Sequence, residues 1–347
     1  MTVSAQVQSP PGLAVAVIST SSIVVENEST RSLEEMIFAS STAALESAGM
    51  EAQDLDGVVL SGNDQLDGRV INIMAAAGPA GGVNRDTTMI ASSGDHALIY
   101  GYLRLKSGQG KNVLVVGWAK PSESVDPDRV ELMSAEPYLL RPIGMNNTIA
   151  AALQASIWVS RDGSQESSET VAWPIRREDL PARGDVVHAA VLAVEGEFSA
   201  GSELAWIVDA GWATISYEIG TRDLSDLSSL RLAADQIVSR TPGAGPDHWD
   251  AVEIGGDSEF AVREAARMLA IREDADINAS GSLHEQLTSP HVSGLGRMIA
   301  AIRAAKKPPE SSGASTKGRV TAGVGFNGFA GQGAAVMVFS TSKGEVA

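Results

Sequence analysis

AALESAGMEAQDLDGVVLSG, residues 43–62, finds an echo later in the same chain as AADQIVSRTPGAGPDHWDAVEIGG, residues 233–256. Each runs from an alanine-rich helical stretch through a turn into a short apolar strand, so that Asp56-Gly57-Val58 faces Asp250-Ala251-Val252. The same offset carries residues 87–106 to about 281–300, where another Ser/Gly-rich turn opens a helix of small and apolar residues over 294–305. Helix–strand units recurring in one order at one spacing are the mark of an internal duplication of βαβ halves.

Working outward, residues 13–19 read as a buried strand. Residues 32–49 carry apolar groups at helical spacing (Leu33, Met36, Ile37, Ala44, Leu45) and stop at Gly49. A strand over 56–62, a helix near 70–77, a turn at 78–82, a strand over 87–91, a helix over 93–106 and a strand over 112–117 complete the first half. Residues 121–184 have mixed charge, several prolines and one expected helix (147–159), and read as an inserted loop region. Residues 306–317 (KKPPESSGASTK) are a polar loop, and 318–339 a terminal hairpin of two buried strands. The expected partition is 1–118 with 185–200 as an N-terminal half, 119–184 as the insertion, and 201–347 as a C-terminal half.

Composition narrows the chemistry. The 347 residues are 44% hydrophobic and 20% charged, enough to bury a large core. A net charge of −17 with no basic stripe argues against nucleic acid. There is no cysteine, which excludes disulfides, thiolate metal sites and every covalent mechanism that begins at sulfur. The first positive charge is Arg31 and the apolar stretch 13–18 is too short to span a bilayer, so the expectation is a cytoplasmic protein with no membrane contact. Asp64, Asp67 and Arg69 follow the second strand, where a solvated turn accounts for them. The glycines of GFNGFAGQG fit no phosphate-binding pattern and read as a tight hairpin, and His284 and His291, with Pro290 between them, make no metal site.

The duplicated halves, the insertion and the glycine-rich tail together resemble the thiolase superfamily, which includes the ketoacyl synthases and the sterol-carrier-protein type thiolases. The resemblance rests on residues 43–62, on SSGDHALIYGYLRLKSGQGKNVLVVGWAKPSES (92–124), on RREDLPARGDVVHAAVLA (176–193) and on GFNGFAGQGAAVMVF (325–339), and covers nearly the whole chain. It implies an α/β thiolase-like fold, two βαβαβ halves in a five-layered α-β-α-β-α arrangement. It also implies a pocket where four loops meet: a cysteine at the start of a buried helix takes the acyl group, a Gly-His-Pro histidine activates it, a second cysteine or histidine moves protons, and an Asn or His loop binds the thioester oxygen.

Read at those positions, this chain departs from the family at each one. The pattern Cys-x-Ser-Gly-x-x-Ala falls on residues 91–97, so Ala91 stands at the nucleophile position. Ser92 is one residue on, where a helical turn of about 100° would point it away; helix capping by Ser92 or Ser93 is the simpler role. The Gly-His-Pro turn falls on Thr288-Ser289-Pro290, leaving Ser289 in the histidine place, with His291 adjacent and His284 reached by a gapped alignment. The Asn/His loop ending in phenylalanine falls on residues 257–260, Asp257 to Phe260, where an aspartate would repel an oxyanion. The Cys-x-Gly loop falls on Asn327-Gly328-Phe329.

Three functions follow from the resemblance. The first is a non-catalytic acyl-thioester-binding or scaffolding subunit, a homodimer or a heterodimer with an active thiolase or ketosynthase. The second is a cysteine-independent retro-aldolase like those relatives that work with a small zinc-ribbon/OB-fold protein, with Asp257, His284 or His291 as base. For it the four tyrosines, Tyr100, Tyr102, Tyr138 and Tyr217, lie outside the later catalytic loops. The third is acyl transfer with no covalent intermediate. No cofactor is implied beyond coenzyme A or a carrier-protein thioester as ligand; both are anionic, so Arg176, Arg177 and Arg183, with Phe260 and Phe329, are the expected binding residues, and the short insertion weakens the case for coenzyme A.

Overall fold

The structure is a computed structural model and describes residues 13–26, 30–64, 71–162, 169–289, 291–306 and 318–343. Asp67, Arg69 and Pro290 lie outside them.

The first half contains β1 (Val15–Val25), α1 (Leu33–Ala48), β2 (Gly57–Ser61), α2 (Asn72–Ala76), β3 (Asp86–Met89), α3 (Gly94–Lys106), β4 (Asn112–Ala119), then α4 (Pro127–Ser134), α5 (Asn147–Asp162) and β5 (Asp185–Val194). The second contains β6 (Ala205–Thr214), α6 (Ser228–Arg240), β7 (Ala251–Ile254), α7 (Glu259–Met268), β8 (Asp276–Ile277), α8 (Ser293–Ala305), β9 (Val320–Asn327) and β10 (Gly333–Ser340). The strand order is β3-β2-β4-β5-β1-β6-β10-β9-β7-β8, a palindrome in which each strand of one half has a counterpart in the other. Pairing repeats as well: β2 is parallel to β3 and β4, and β7 to β8 and β9, while β5 and β10 are antiparallel to both neighbours. The halves meet at two pairs, Ala16↔Trp206 and Val17↔Ala205.

Burial sorts the elements into five layers. One core packs Leu33, Met36 and Ile37 of α1 against Val58, Leu60, Leu114 and Val187. A central core packs Leu98 and Leu105 of α3 and Leu295 and Met298 of α8 between Val59 and Val115 on one side and Ala335 and Met337 on the other. A third packs Leu230 and Ile237 of α6 against Val252, Val324 and Val336. The alternation of Val58, Val59 and Leu60 between two cores explains why β2 is a continuous apolar run: a parallel strand covered on both faces has no polar side. Each such fully buried side chain contributes about 1.5–3 kcal/mol.

Chain ends of helices follow their signals. Ser32 accepts from the Glu35 amide while Glu35 accepts from the Ser32 amide, a capping box that starts α1, and Gly49 closes it in the left-handed conformation (φ 66°). The two central helices approach so closely that a Cβ on Gly94 would lie 2.8 Å from Leu295, and one on Gly294 would meet Asp95.

α8 spans Ser293–Ala305, the helix expected over 294–305; it starts later than the constant offset from Gly94 gives because the loop from β8 to α8 is longer than the loop from β3 to α3. Other elements differ from expectation. The insertion holds a second helix, α4, whose Asp126 side chain caps it by accepting from the Arg129 amide. β6 and α7 were not read from the sequence. Among the described residues, no helix is long and apolar enough to cross a membrane.

Candidate active site

A cavity of about 490 Å³ opens at the N-terminal end of α3. Its floor comes from Ser92 and Ser93 before and at the cap of α3, Asp257 after β7, His291 before α8, and Phe326, Asn327, Gly328, Phe329 and Gln332 of the β9–β10 hairpin. Its roof is the insertion, through Val130, Glu131 and Ser134 of α4, Glu136, Leu140 and Asn147; Tyr217 closes one side. The structure thus brings Ser92, Asp257, His291, Asn327 and Phe329 together.

It does not bring in the rest. Ala91 is exposed and does not line the cavity. His284 is on the surface, 3.4 Å from the Leu180 carbonyl. Ser289 is buried and its carbonyl accepts from the amides of Val292 and Ser293, a turn that sets up α8. Phe260 packs on the third core and under Arg263, whose guanidinium is 4.5 Å from the ring. Arg176 pairs with Glu178 and Asp179, and Arg177 is exposed. Arg183 pairs with Asp128 at 2.6 Å and Glu131 at 2.7 Å, so it meets the cavity only by holding its glutamate wall.

The expected rotation of Ser92 away from the pocket does not occur, for a simple reason. α3 begins at Gly94, and Ser93 at its cap is extended (φ −154°, ψ 166°), so residues 91–93 do not follow helical rotation. Ser93 does not bond to the helix amides either. Its hydroxyl donates to Asp95 Oδ1 and lies 3.0 Å from His96 Nδ1, which is 3.2 Å from the same carboxyl oxygen and 3.3 Å from Asn327 Nδ2. Burial pushes the Asp95 carboxyl up, but the hydrogen bond and charge of His96, with the Ser93 hydroxyl, outweigh it and hold the group below its ordinary value. Burial pushes His96 down, and Asp95 overcomes that to raise it. Both shifts favour the charged forms of the two groups. Serine and aspartate crowd the same ring nitrogen of His96 rather than forming a relay through two.

His291 is neutral for a related reason. Burial lowers it, against a backbone hydrogen bond with Ser92 and the charge of Asp95. Its Nε2 is 2.7 Å from Asn63 Nδ2, which fits an amide donating to the ring with Nδ1–H turned to the Ser92 backbone. His291 thereby fixes Ser92 at the rim.

Asp257 is the group whose state is most altered. Burial, reinforced by the charge of Glu131, raises its carboxyl from its ordinary 3.8 to about 7. Glu131 is itself raised, chiefly by burial and by Asp128, with Arg183 opposing. A carboxyl in a cavity at that value can give or take a proton near neutral pH. Glu131, Glu136 and Tyr217 carry no motif and lie in the insertion or beyond β6; Tyr217 is outside the later catalytic loops, as expected, yet lines the cavity. Among the described residues, no three His, Asp or Glu side chains are grouped to hold a metal.

No family model matches the sequence, and no curated protein matches it. Solved structures do match. Human mitochondrial 3-ketoacyl-CoA thiolase in complex with CoA superposes with a TM-score of 0.70 at 14% identity, covering 95% of this chain and 98% of that one. A second structure of human mitochondrial 3-ketoacyl-CoA thiolase gives 0.67 at 12%, covering 95% and 99%. Palindromic sheets, paired central helices and near-complete coverage lead to one statement: this chain has the thiolase-superfamily fold, without a cysteine anywhere in it.

Proposed function

We propose that the cavity binds an acyl thioester and that Asp257 acts on it by proton transfer, cleaving a carbon–carbon bond in the retro-aldol sense with no acyl-enzyme. The observation that carries this is the Asp257 carboxyl at the cavity wall, desolvated by its surroundings and raised to about 7. Ionised Asp257 takes the proton of a β-hydroxyl group. The Cα–Cβ bond breaks, leaving a carbonyl product, and its electron pair becomes a thioester enolate. Protonated Asp257 then returns the proton to Cα. Ser92 and Asn327, both at the cavity wall, are the neutral donors available to the enolate oxygen. Arg183 acts behind them as a positioning residue by keeping Glu131 fixed.

The test is incubation with β-hydroxyacyl-CoA thioesters. The expected result is a shortened acyl-CoA and an aldehyde or ketone, with a rate rising through about pH 7 as Asp257 ionises and falling about 10²–10⁴-fold in Asp257→Asn. Full activity in Asp257→Asn, or inertness toward every such thioester, removes the reading.

One observation favours a second reading. Among the described residues no lysine or arginine lines the cavity, and Glu131 and Glu136 do, so the anionic end of coenzyme A or a carrier protein finds no counter-charge from them there. In that reading the chain is a cytoplasmic, non-catalytic thioester-binding or scaffolding subunit, paired with itself or an active thiolase, or with a small zinc-ribbon/OB-fold protein. Recovery of a stable complex containing an active thiolase, with no turnover by this chain, supports it.

A further inference from the structure

A second cavity, of about 450 Å³, shares no lining residue with the first. It lies between α8, the loop before it, and strands β1, β5 and β7. Arg297 is 3% exposed in its side chain and projects from α8 to Glu253, 2% exposed, on β7 at 3.0 Å. Glu253 is saturated: it also accepts the Ser280 amide and hydroxyl. Arg297 Nη1 is equally occupied, with Glu253, Ser280 Oγ and the Gly281 carbonyl. Its other terminal nitrogen, Nη2, is buried with no hydrogen-bond partner among the described residues.

An orphaned guanidinium nitrogen is unfavourable, because two strong donors have left water with no replacement partner. The rest of the wall matches what would relieve it. Arg303, six residues and about 9 Å further along α8, lines the same cavity; among the described residues it pairs with no carboxylate and reaches only the hydroxyls of Thr20 and Ser22 at 3.4 Å. His188 is neutral, lowered to about 4 by burial and by Arg303, with Nδ1 2.9 Å from Ser22 Oγ. Glu285 at the rim is turned onto the Ser282 amide and hydroxyl. Between these polar points the wall is apolar: Val24, Leu283, Leu287, Ile299 and Ala300.

We infer that this cavity is a binding site for a small organic carboxylate with a short apolar tail, its oxygens on Arg297 Nη2 and Arg303 and its tail along α8. The size is that of a small-molecule site, with few polar anchors in an apolar wall, and Arg is the residue suited to carboxylate oxygens. The site is independent of Asp257 and of any turnover.

The experiment is calorimetric titration of the full chain with hexanoate, with hexanol and inorganic phosphate as controls. Hexanoate is expected to bind, its Kd to rise at least tenfold in Arg303→Gln, and binding to vanish in Ala300→Phe, which fills the cavity. Both positions leave the Arg297–Glu253 pair intact, and thermal melts establish that each variant is folded. Equal binding of hexanol, unchanged hexanoate affinity in both variants, or no hexanoate binding at all overturns the inference. Phosphate binding with none of hexanoate overturns the carboxylate assignment.

Discussion

The two halves share a topology and differ most at one connection. In the C-terminal half β9 reaches β10 through a tight hairpin, Asn327 to Gly333, with Gly328 and Gly331 in the left-handed region. In the N-terminal half the equivalent link, from β4 to β5, carries α4 and α5 and becomes the cavity roof. The hairpin and the long connection lie against each other, so the site is built where the duplication fails to repeat. Symmetry makes the core, and asymmetry makes the chemistry.

That contrast can be broken at several points. The widest effect expected is in pH dependence. Asp257 is raised in the fold, so the folded protein holds a proton the unfolded chain has lost, and stability falls as pH rises from about 4 to 7. His188 is lowered to about 4, so the unfolded chain binds the extra proton, and stability falls as pH drops from 6.5 to about 4. Between about pH 4 and 6.5 these two slopes oppose each other. Urea melts from pH 4 to 8 should therefore show the stability of Asp257→Asn relative to the parent rising with pH up to about 7, with no loss relative to the parent at pH 8. A parent-like profile would mean Asp257 is not perturbed.

Next come the two buried guanidinium groups that anchor the central helices. Arg297→Met leaves Glu253 charged and unpaired between buried groups, and should cost about 3–5 kcal/mol by chemical denaturation. In the other half Arg104 pairs at 2.7 Å with Asp86, whose side chain is 65% exposed, and Asp86→Asn should cost less than about 1 kcal/mol. Between those extremes stand two glycines that let central helix and strand approach. A Cβ on Gly323 of β9 would lie 2.6 Å from the Met298 Cα, backbone that cannot yield, and Gly323→Ala should cost about 1–3 kcal/mol. On Gly101 of α3 it would lie 2.8 Å from a Val115 methyl, and alanine there regains about 1 kcal/mol of helix propensity, so Gly101→Ala should cost less. Equal costs at both glycines would contradict the difference between the halves.

How much of this was legible follows from where information is local. α1, β2, α3, β4 and the hairpin declare themselves because apolar period, caps and glycine stops are written within a few residues. The duplication was visible because Asp56 and Asp250 open matching strands. The site was half legible: Ser92, Asp257, His291, Asn327 and Phe329 fall together because family loops converge on one helix end. Ser92 could be placed at the rim only once α3 was seen to begin at Gly94 with Ser93 extended before it. Glu131 and Tyr217 could not be found, since an amphipathic turn in an insertion looks the same whether it roofs a cavity or covers a surface. The arginines misled for the opposite reason: a basic cluster reads as a ligand site until its acidic partners, Asp179 for Arg176 and Asp128 and Glu131 for Arg183, are seen.

The position of β5 carries a last consequence, for biosynthesis. β1 pairs along its whole length with a strand that begins at Asp185. At about 5–20 residues per second the ribosome needs roughly 10–30 s to deliver it. Throughout that interval VAVISTSSIVV has no permanent neighbour on that edge, and a nascent chain carrying it is a natural client for a holding chaperone.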